Sequence, residues 1–183
     1  MNIHTIILAA GAGSRMKSNQ AKVLQRIGGM SMLQRVLQTT RKLNSKSTVV
    51  LGHDKEGVLR HLQGIEGNIS TAIQADQLGT ADAVKSALHN TTSDETILVL
   101  YGDVPLVSEK SLQELIDKSE NGFSILTTHL DDPFGYGRVI TDTNNFATAI
   151  VEEKDASDDE KLINEIFTGI LCINQKLLAA GLQ

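Results

Sequence analysis

A run of small residues followed by two basic side chains could bind phosphate. Residues 8–16 follow the apolar run 5–8, which we predict to be a buried strand, and they include two glycines. Because small residues put little in the way, backbone N–H groups of such a loop can approach a ligand closely. Arg15 and Lys22 add positive charge, so the loop suits a polyanion such as a nucleoside triphosphate. The alternative is an ordinary strand-to-helix turn with a solvated arginine.

Two better-known phosphate loops do not fit this spacing. The dinucleotide pattern G-x-G-x-x-G matches at Gly11 and Gly13, but Met16 stands where its third glycine belongs. The Walker pattern G-x-x-x-x-G-K-[ST] does not occur in the chain. The loop therefore belongs to neither class, and a dehydrogenase is the least favoured interpretation.

A carboxylate stands at a second predicted strand end. Asp103 follows the unbroken apolar run 97–100 and the dipeptide Tyr101-Gly102. Mg²⁺ prefers oxygen ligands, drawn from one or two carboxylates and from substrate phosphates, so Asp103 is a candidate magnesium ligand. The alternative is an aspartate that caps the turn before Pro105.

Other polar positions after predicted strands could contact a nucleotide or a sugar. Gln74 carries a donor and an acceptor, enough to recognise one edge of a base. Gly79 and Thr80 could present backbone N–H groups at a helix start, and Glu152 could accept from a sugar hydroxyl. The ordinary alternatives are a loop glutamine, a plain helix start with Thr80 as its cap, and a solvated acidic loop. The five histidines have neither metal-ligand nor triad spacing and receive no role.

Strands must bring these positions together. We predict further strands at 48–51, 69–73, 97–100 and 123–130, with helices between them, the first of which is capped by Ser31. This alternation predicts an α/β fold with a mainly parallel sheet flanked by helices. Ligands bind such sheets at the carboxyl ends of the strands, so the glycine loop, 74–80 and 101–103 should converge on one crevice.

The later part of the chain predicts a small β insertion. Residues 138–140 and 146–151 flank a stretch rich in turn formers, which is typical of a hairpin. We also expect a short charged helix at 157–162 and a strand within 164–173. With 183 residues and 40% hydrophobic residues, we expect one domain over residues 1–183.

The composition limits the partners. A net charge of −5 and only 3% aromatic residues argue against a nucleic-acid surface, so any anionic ligand must be held by a local basic site. The single cysteine, Cys172, allows no internal disulfide and fits the reducing cytoplasm, where we expect the protein. No apolar stretch reaches membrane-spanning length, and no basic segment precedes the first apolar run, so we expect neither membrane insertion nor a signal peptide.

Together these residues resemble the sugar-nucleotide pyrophosphorylases, whose broad mark is L-A-A-G-x-G-[ST]-R-M followed by a lysine. Segments 74–80, 100–106, 132–138 and 150–156 narrow the resemblance. They are similar to the N-terminal pyrophosphorylase domain of the bacterial bifunctional N-acetylglucosamine-1-phosphate uridylyltransferases/glucosamine-1-phosphate N-acetyltransferases. The resemblance covers residues 5 to about 173, nearly the whole chain.

The resemblance implies a Rossmann-like nucleotide-diphospho-sugar transferase that uses Mg²⁺. It would join UTP to N-acetylglucosamine 1-phosphate and release pyrophosphate, in the cytoplasmic supply of precursors for peptidoglycan and lipopolysaccharide. The residues implied for the nucleotide are Leu8, Ala9, Ala10 and Gly11, with Gln74 and Gly79 at uracil and Arg15 and Lys22 at the phosphates. Asp103 would hold Mg²⁺, and the residues implied for the sugar-phosphate pocket are Thr80, Tyr101, Gly137 and Glu152.

Three departures from the family bear on activity. Ala21 replaces the usual proline before Lys22. We expect the loss of proline to make the loop more flexible, at a cost of less than about 1 kcal/mol in stability. Phe167 stands where the family has an asparagine that contacts the sugar, so we expect weakened or altered sugar binding. The chain also stops before the family's second metal ligand and its trimerising β-helix acetyltransferase domain, so we expect an incomplete pyrophosphorylase domain. Two alternatives stay open: a related sugar-phosphate nucleotidyltransferase, or a weakly active or inactive nucleotide-binding fragment.

Overall fold

The elements follow the apolar and helical patterns of the sequence in their order along the chain. The computed structural model describes residues 2–11, 13, 20–76 and 78–182. The strands are β1 (Ile3–Ala9), β2 (Arg26–Ile27), β3 (Met30–Ser31), β4 (Lys46–Leu51), β5 (Ile69–Ile73), β6 (Thr96–Tyr101), β7 (Phe123–His129), β8 (Arg138–Thr141), β9 (Ala147–Val151) and β10 (Glu165–Asn174). The α-helices are α1 (Met32–Lys42), α2 (Lys55–Leu62), α3 (Thr80–Ala87), α4 (Glu109–Lys118) and α5 (Gln175–Gly181).

The chain divides into two units. The first combines Met1–Ser124 with Leu171–Gln183, and the second is Ile125–Ile170. Strands β7 and β10 run from one unit into the other, whereas β8 and β9 lie wholly in the second.

A mainly parallel sheet forms the centre of the first unit. β4 pairs in parallel with β5 and with β1, and β1 pairs in parallel with β6. The last residues of β10 close this side with antiparallel pairs to β6, such as Leu171 opposite Val99. The predicted α/β fold with a mainly parallel, helix-flanked sheet is confirmed, and the run 97–100 is central as its unbroken apolarity indicates.

Helices cover the sheet with apolar stripes. Ile6 of β1, Val50 of β4 and Val99 of β6 pack with Ala83 and Val84 of α3 in one buried cluster. Such burial removes apolar surface from water at roughly 25 cal/mol per Å², and it fixes α3 against the sheet. The start of α3 is thereby held at the carboxyl ends of the strands.

The two predicted helix caps have different outcomes. Ser31 caps α1 as expected, since its side chain accepts from the Gln34 N–H at 3.0 Å. The prediction of Thr80 as a cap is wrong, because Thr80 is the first residue of α3 and Gly79 is its N-cap. Gly79 has φ +110°, a conformation that side-chain-bearing residues rarely adopt.

The second unit contains the predicted hairpin. β8 and β9 pair in antiparallel fashion, with Val139 opposite Ile150. Asp142 stabilises the turn because its Oδ1 accepts from the N–H groups of Asn144 at 2.8 Å and Phe146 at 2.9 Å. The charged helix expected at 157–162 is wrong in extent. Only the 3₁₀ turn Glu160–Leu162 forms, although Ser157 and Glu160 make the reciprocal hydrogen bonds of a capping box.

No described part of the chain forms a helix that is both long and apolar enough to cross a membrane.

Candidate active site

The strand ends of the first unit surround a cavity of about 570 Å³. The ends of β1 and β6, the segment after β5 and the start of α3 contribute to its wall, together with the short 3₁₀ helix Lys22–Leu24. The lining residues are Leu8, Ala9, Ala10, Gly11, Gly13, Lys22, Val23, Gln74, Gly79, Thr80, Ala83, Tyr101 and Asp103. The predicted convergence of three separate segments on one crevice is therefore observed.

Most of the sequence-predicted site residues lie in this wall. They are Leu8, Ala9, Ala10, Gly11, Lys22, Gln74, Gly79, Thr80, Tyr101 and Asp103. Arg15 falls outside the described residues. Gly137 and Glu152 belong to the second unit.

An ion pair joins two of the predicted residues. The Lys22 Nζ lies 2.7 Å from the Asp103 Oδ2, and the two side chains are 41% and 28% exposed. Pairs that water can reach contribute only about 0–1 kcal/mol, so either partner can exchange this contact for a ligand at small cost. The cavity wall thus carries a cation and a carboxylate side by side.

Close packing in and behind the cavity wall leaves no room for a side chain at several glycines. A Cβ on Gly52 would lie 2.7 Å from the Ala10 O, and one on Gly102 would lie 3.0 Å from the Val23 Cγ1. Gly13 has φ +56°, and a Cβ there would lie 2.8 Å from the Lys22 Cβ. A side chain at either Gly52 or Gly13 would therefore displace residues that line the cavity.

The side chain of Gln74 is buried, and its amide nitrogen makes both of its side-chain hydrogen bonds. Its Nε2 donates to the Gly79 O at 3.0 Å and to the Asp82 Oδ2 at 2.8 Å, and the residue is 6% exposed. The Gln74 backbone N–H donates to the Leu51 O at 2.8 Å. The glutamine is therefore built into the wall rather than solvated in a loop.

The turn between β4 and α2 anchors both ends of the glycine loop, a contact that sequence reasoning missed. The His53 N–H donates to the Ala10 O at 3.0 Å. The Asp54 Oδ2 accepts from the Ala21 N–H at 3.1 Å, while its Oδ1 accepts from the Gly57 N–H at 3.1 Å as the cap of α2. Asp54 adopts φ 49°. In the sequence, the D-x-x-G spacing of residues 54–57 indicates that Asp54 caps a helix, but it does not indicate the contact with the glycine loop.

Gly137 and Glu152 are neighbours in the second unit. A Cβ on Gly137 would lie 3.0 Å from the Ile150 Cγ2 and 3.6 Å from the Glu152 Oε1. The Phe167 N–H donates to the Gly137 O at 2.9 Å, so the unexpected phenylalanine adjoins the same position.

A buried arginine fixes the segment before Gly137. Arg138 is 2% exposed, donates to the Tyr136 O and pairs with the Glu153 Oε2 at 2.7 Å. The Arg138 hydrogen bond, helped by the Gly135 N–H, holds the pKa of Glu153 below its usual value. Glu153 therefore stays ionised at neutral pH and keeps the pair intact.

The residues present fit a magnesium ion that is held mainly by its substrate. Asp103 supplies a carboxylate to the cavity, the oxygen donor that Mg²⁺ takes. Within the described ranges, no three His, Cys, Asp or Glu side chains are grouped so that they could hold a metal. An ion at Asp103 would therefore take its other ligands from phosphate and water, which is usual for Mg²⁺.

The fold and the phosphate-compatible cavity define a nucleotidyltransferase. Residues 5–148 match the MobA-like NTP transferase domain, and the chain belongs to that family. A solved structure of HddC from Yersinia pseudotuberculosis shares the fold, with a TM-score of 0.74 and 19% identity over 98% of this chain and 80% of that chain.

Curated relatives confirm the resemblance to the bifunctional bacterial enzymes. Bifunctional protein GlmU of Neisseria meningitidis serogroup C is 46% identical over 177 residues, which are 96% of this chain and 38% of that protein. Bifunctional protein GlmU of Burkholderia multivorans is 46% identical over 184 aligned positions, which cover 100% of this chain and 40% of that protein. The chain thus spans about two fifths of the length of these relatives.

Proposed function

We propose that this chain transfers a uridylyl group from UTP to N-acetylglucosamine 1-phosphate, giving UDP-N-acetylglucosamine and pyrophosphate. The observation that carries the proposal is the cavity in which Lys22 and Asp103 adjoin while Gln74 stands in the same wall. In this proposal residues 1–183 act as one pyrophosphorylase domain in the cytoplasm. The similarity to proteins named GlmU supports the choice of substrates.

The proposed reaction needs no general base. An oxygen of the sugar phosphate forms a bond to the α-phosphorus of UTP. The bond from that phosphorus to the oxygen bridging the β-phosphorus breaks in line, and the electron pair leaves with pyrophosphate. Because the nucleophile is already an anion, catalysis consists of positioning the two substrates and neutralising their charge.

Lys22 is the described residue best placed to neutralise phosphate. Its ammonium group stands in the cavity wall and gives up only a solvent-accessible ion pair when it turns to a ligand. Arg15, which we assign by the resemblance, would face the departing pyrophosphate. We assign Mg²⁺ to Asp103; when bound, the ion would neutralise charge on the phosphates.

We assign recognition of the base and binding of the sugar phosphate to different residues. Gln74 and the N–H groups that begin α3 at Gly79 would recognise uracil, with Leu8–Gly11 along the nucleoside. Thr80 and Tyr101 line the cavity and are proposed for the sugar phosphate. Gly137 and Glu152 keep the same proposed role on the resemblance alone.

One observation favours a second candidate, a module that binds UTP without transferring it. Among the described residues, the only carboxylate in the cavity wall is Asp103, so a bound ion would have few protein ligands. This candidate predicts UTP binding with Mg²⁺ but no pyrophosphate release.

Pyrophosphate release across a panel of substrates tests the proposal. The assay uses UTP, CTP, ATP, GTP and dTTP, each with N-acetylglucosamine 1-phosphate or glucose 1-phosphate, with Mg²⁺ or with EDTA. We expect release with UTP and N-acetylglucosamine 1-phosphate only when Mg²⁺ is present. A stronger signal with another pair would establish a related nucleotidyltransferase, and UTP binding without release would establish the second candidate.

A further inference from the structure

The orientation of the Gln74 amide decides which edge of a base the cavity wall can meet. Its Nε2 donates to the Gly79 O and to the Asp82 Oδ2, at 3.0 and 2.8 Å. Both partners are acceptors, a carbonyl and a carboxylate, so a flipped amide would set its oxygen against two oxygens. The amide oxygen of Gln74 is therefore the polar atom left to face a ligand in the cavity.

We propose that Asp82 is a specificity-determining residue that selects bases with an imide edge, an inference that rests on the nucleotide binding of the proposed function. Uracil and thymine present a ring N3–H beside a carbonyl, and guanine presents N1–H beside O6. Cytosine and adenine present a bare ring nitrogen beside an amino group, which is the opposite pattern. A fixed acceptor on Gln74 can accept from the ring N–H of uracil, thymine or guanine. It would repel the bare ring nitrogen of cytosine or adenine, which is also an acceptor.

The complementary donors come from the same helix. The first N–H groups of an α-helix have no partner within it, and α3 begins at Thr80 in the cavity wall. They suit the carbonyl that flanks the imide N–H. Acceptor and donor together define the imide edge, whereas either alone would not.

Asp82 is suited to hold the amide because its backbone is fixed in α3 and its side chain is a carboxylate. It lies in the first turn of α3, where the helix dipole favours a carboxylate. Hydrogen bonds to ionised groups are stronger than neutral ones, so Asp82 holds Gln74 more firmly than the Gly79 carbonyl alone would. Asp82 does not line the cavity itself and acts on the ligand through Gln74.

The test compares Asp82→Asn with Asp76→Asn. Asparagine keeps the shape of Asp82 but can donate to a flipped Gln74 amide. Asp76 is an exposed carboxylate of the same segment, so its substitution removes the same charge without touching the hydrogen bond at Gln74. We expect Asp82→Asn to lower the ratio of kcat/KM for UTP over CTP by about fivefold to tenfold, and Asp76→Asn to leave that ratio unchanged.

Nucleotide binding, measured by calorimetry on each variant, separates this inference from the proposed function. If the wild-type protein binds UTP more tightly than CTP but shows no turnover, the proposed uridylyl transfer is overturned. If Asp82→Asn then loses the preference for UTP in binding, the role of Asp82 is still supported. If Asp82→Asn does not fold, Asp82→Ser offers a small hydroxyl that can also donate to the flipped amide. An unchanged UTP-to-CTP ratio in the folded Asp82 variant, or an equal change in Asp76→Asn, overturns the role of Asp82.

Discussion

At the scale of single residues, the proposed function requires the contact between Lys22 and Asp103 to open when a nucleotide binds. The two groups are 2.7 Å apart and partly exposed, so water already competes with their attraction. A triphosphate offers Lys22 several anionic oxygens in place of one carboxylate. The Lys22 ammonium group is therefore held in place by Asp103, and its release costs little energy.

Replacing the lysine tests this role. We expect Lys22→Ala to lower kcat by roughly 10²–10³-fold, the usual effect of removing one preorganised group that stabilises developing negative charge. Initial rates of pyrophosphate release measure the change. Lys110→Ala is the matched control, because Lys110 is 86% exposed and pairs only weakly with Glu114 at 3.9 Å. Equal rates for Lys22→Ala and Lys110→Ala would remove Lys22 from the mechanism.

Phe167 gives a second prediction at this scale. Its N–H donates to the Gly137 O at 2.9 Å, and its ring offers neither a donor nor an acceptor to a sugar. We expect Phe167→Asn to lower the KM for the sugar phosphate by about fivefold or more, since a buried polar group without a partner costs roughly 1–3 kcal/mol. Steady-state kinetics with N-acetylglucosamine 1-phosphate as the varied substrate would show it. An unchanged KM would mean that position 167 does not contact the sugar.

At the scale of elements, the turn between β4 and α2 positions the loop that carries Lys22. His53 holds the loop at Ala10, and Asp54 holds it at Ala21, whose N–H is 3.1 Å from the Asp54 Oδ2. A proline at position 21 has no N–H to donate. The alanine that departs from the family pattern thus has a hydrogen bond that the usual proline could not form.

The two positions should therefore be coupled. Ala21 has φ −53°, which suits proline, but the proline ring would occupy the space between the backbone nitrogen and the Asp54 carboxylate. Asp54 has φ 49°, which glycine tolerates. We expect Ala21→Pro and Asp54→Gly each to lower kcat about tenfold through misplacement of Lys22, and the double variant to recover most of the loss.

Melting temperatures of all three variants accompany these rates. They separate the positioning of Lys22 from a general loss of stability. Purely additive losses in the double variant would contradict the coupling between Ala21 and Asp54.

Patterns local in sequence account for what could be predicted among the elements. The alternation of apolar runs predicted the parallel sheet, and turn formers predicted the hairpin of β8 and β9. The prediction of Thr80 as a helix cap is wrong because Gly79 occupies the N-cap position of α3 and makes no side-chain hydrogen bond there. The D-x-x-G pattern at Asp54 indicates a helix cap, but its hydrogen bond to Ala21 joins residues 33 apart and depends on a left-handed backbone conformation, so the pattern does not reveal this partner.

At the scale of the whole molecule, a cluster made of the buried pair His4 and Glu95 and the half-exposed Lys46 joins the amino ends of the central strands. The His4 Nδ1 lies 3.1 Å from the Glu95 Oε2, and the Lys46 Nζ donates to the Glu95 Oε1 at 3.0 Å. His4 and Glu95 are 2% and 1% exposed. The sequence could not predict this cluster, because it joins residues as far as 91 positions apart.

The cluster makes stability depend on pH. Burial lowers the pKa of His4, and the Glu95 carboxylate only partly offsets that effect. Burial alone would raise the pKa of Glu95, but the Thr92 N–H, Lys46 and His4 together lower it. The unfolded chain therefore binds more protons than the folded one, and stability falls as pH drops below roughly 6.5, through His4 first and then Glu95.

Urea unfolding between pH 7.5 and 5.5 measures this dependence. We expect the free energy of unfolding to decrease over that range and His4→Gln to flatten the decrease. His89→Gln is the control, since His89 is exposed, and it should keep the wild-type slope. A slope that His4→Gln leaves unchanged would place the pH sensitivity elsewhere.

The fate of labelled phosphorus in UTP tests most directly whether this cavity transfers a uridylyl group. With UTP labelled at the α-phosphorus, N-acetylglucosamine 1-phosphate and Mg²⁺, we predict that the label enters a nucleotide sugar, while label at the γ-phosphorus leaves as pyrophosphate. Both transfers should depend on the sugar phosphate and be strongly reduced in Lys22→Ala. Unchanged UTP, or release of γ-label as orthophosphate, would contradict the account.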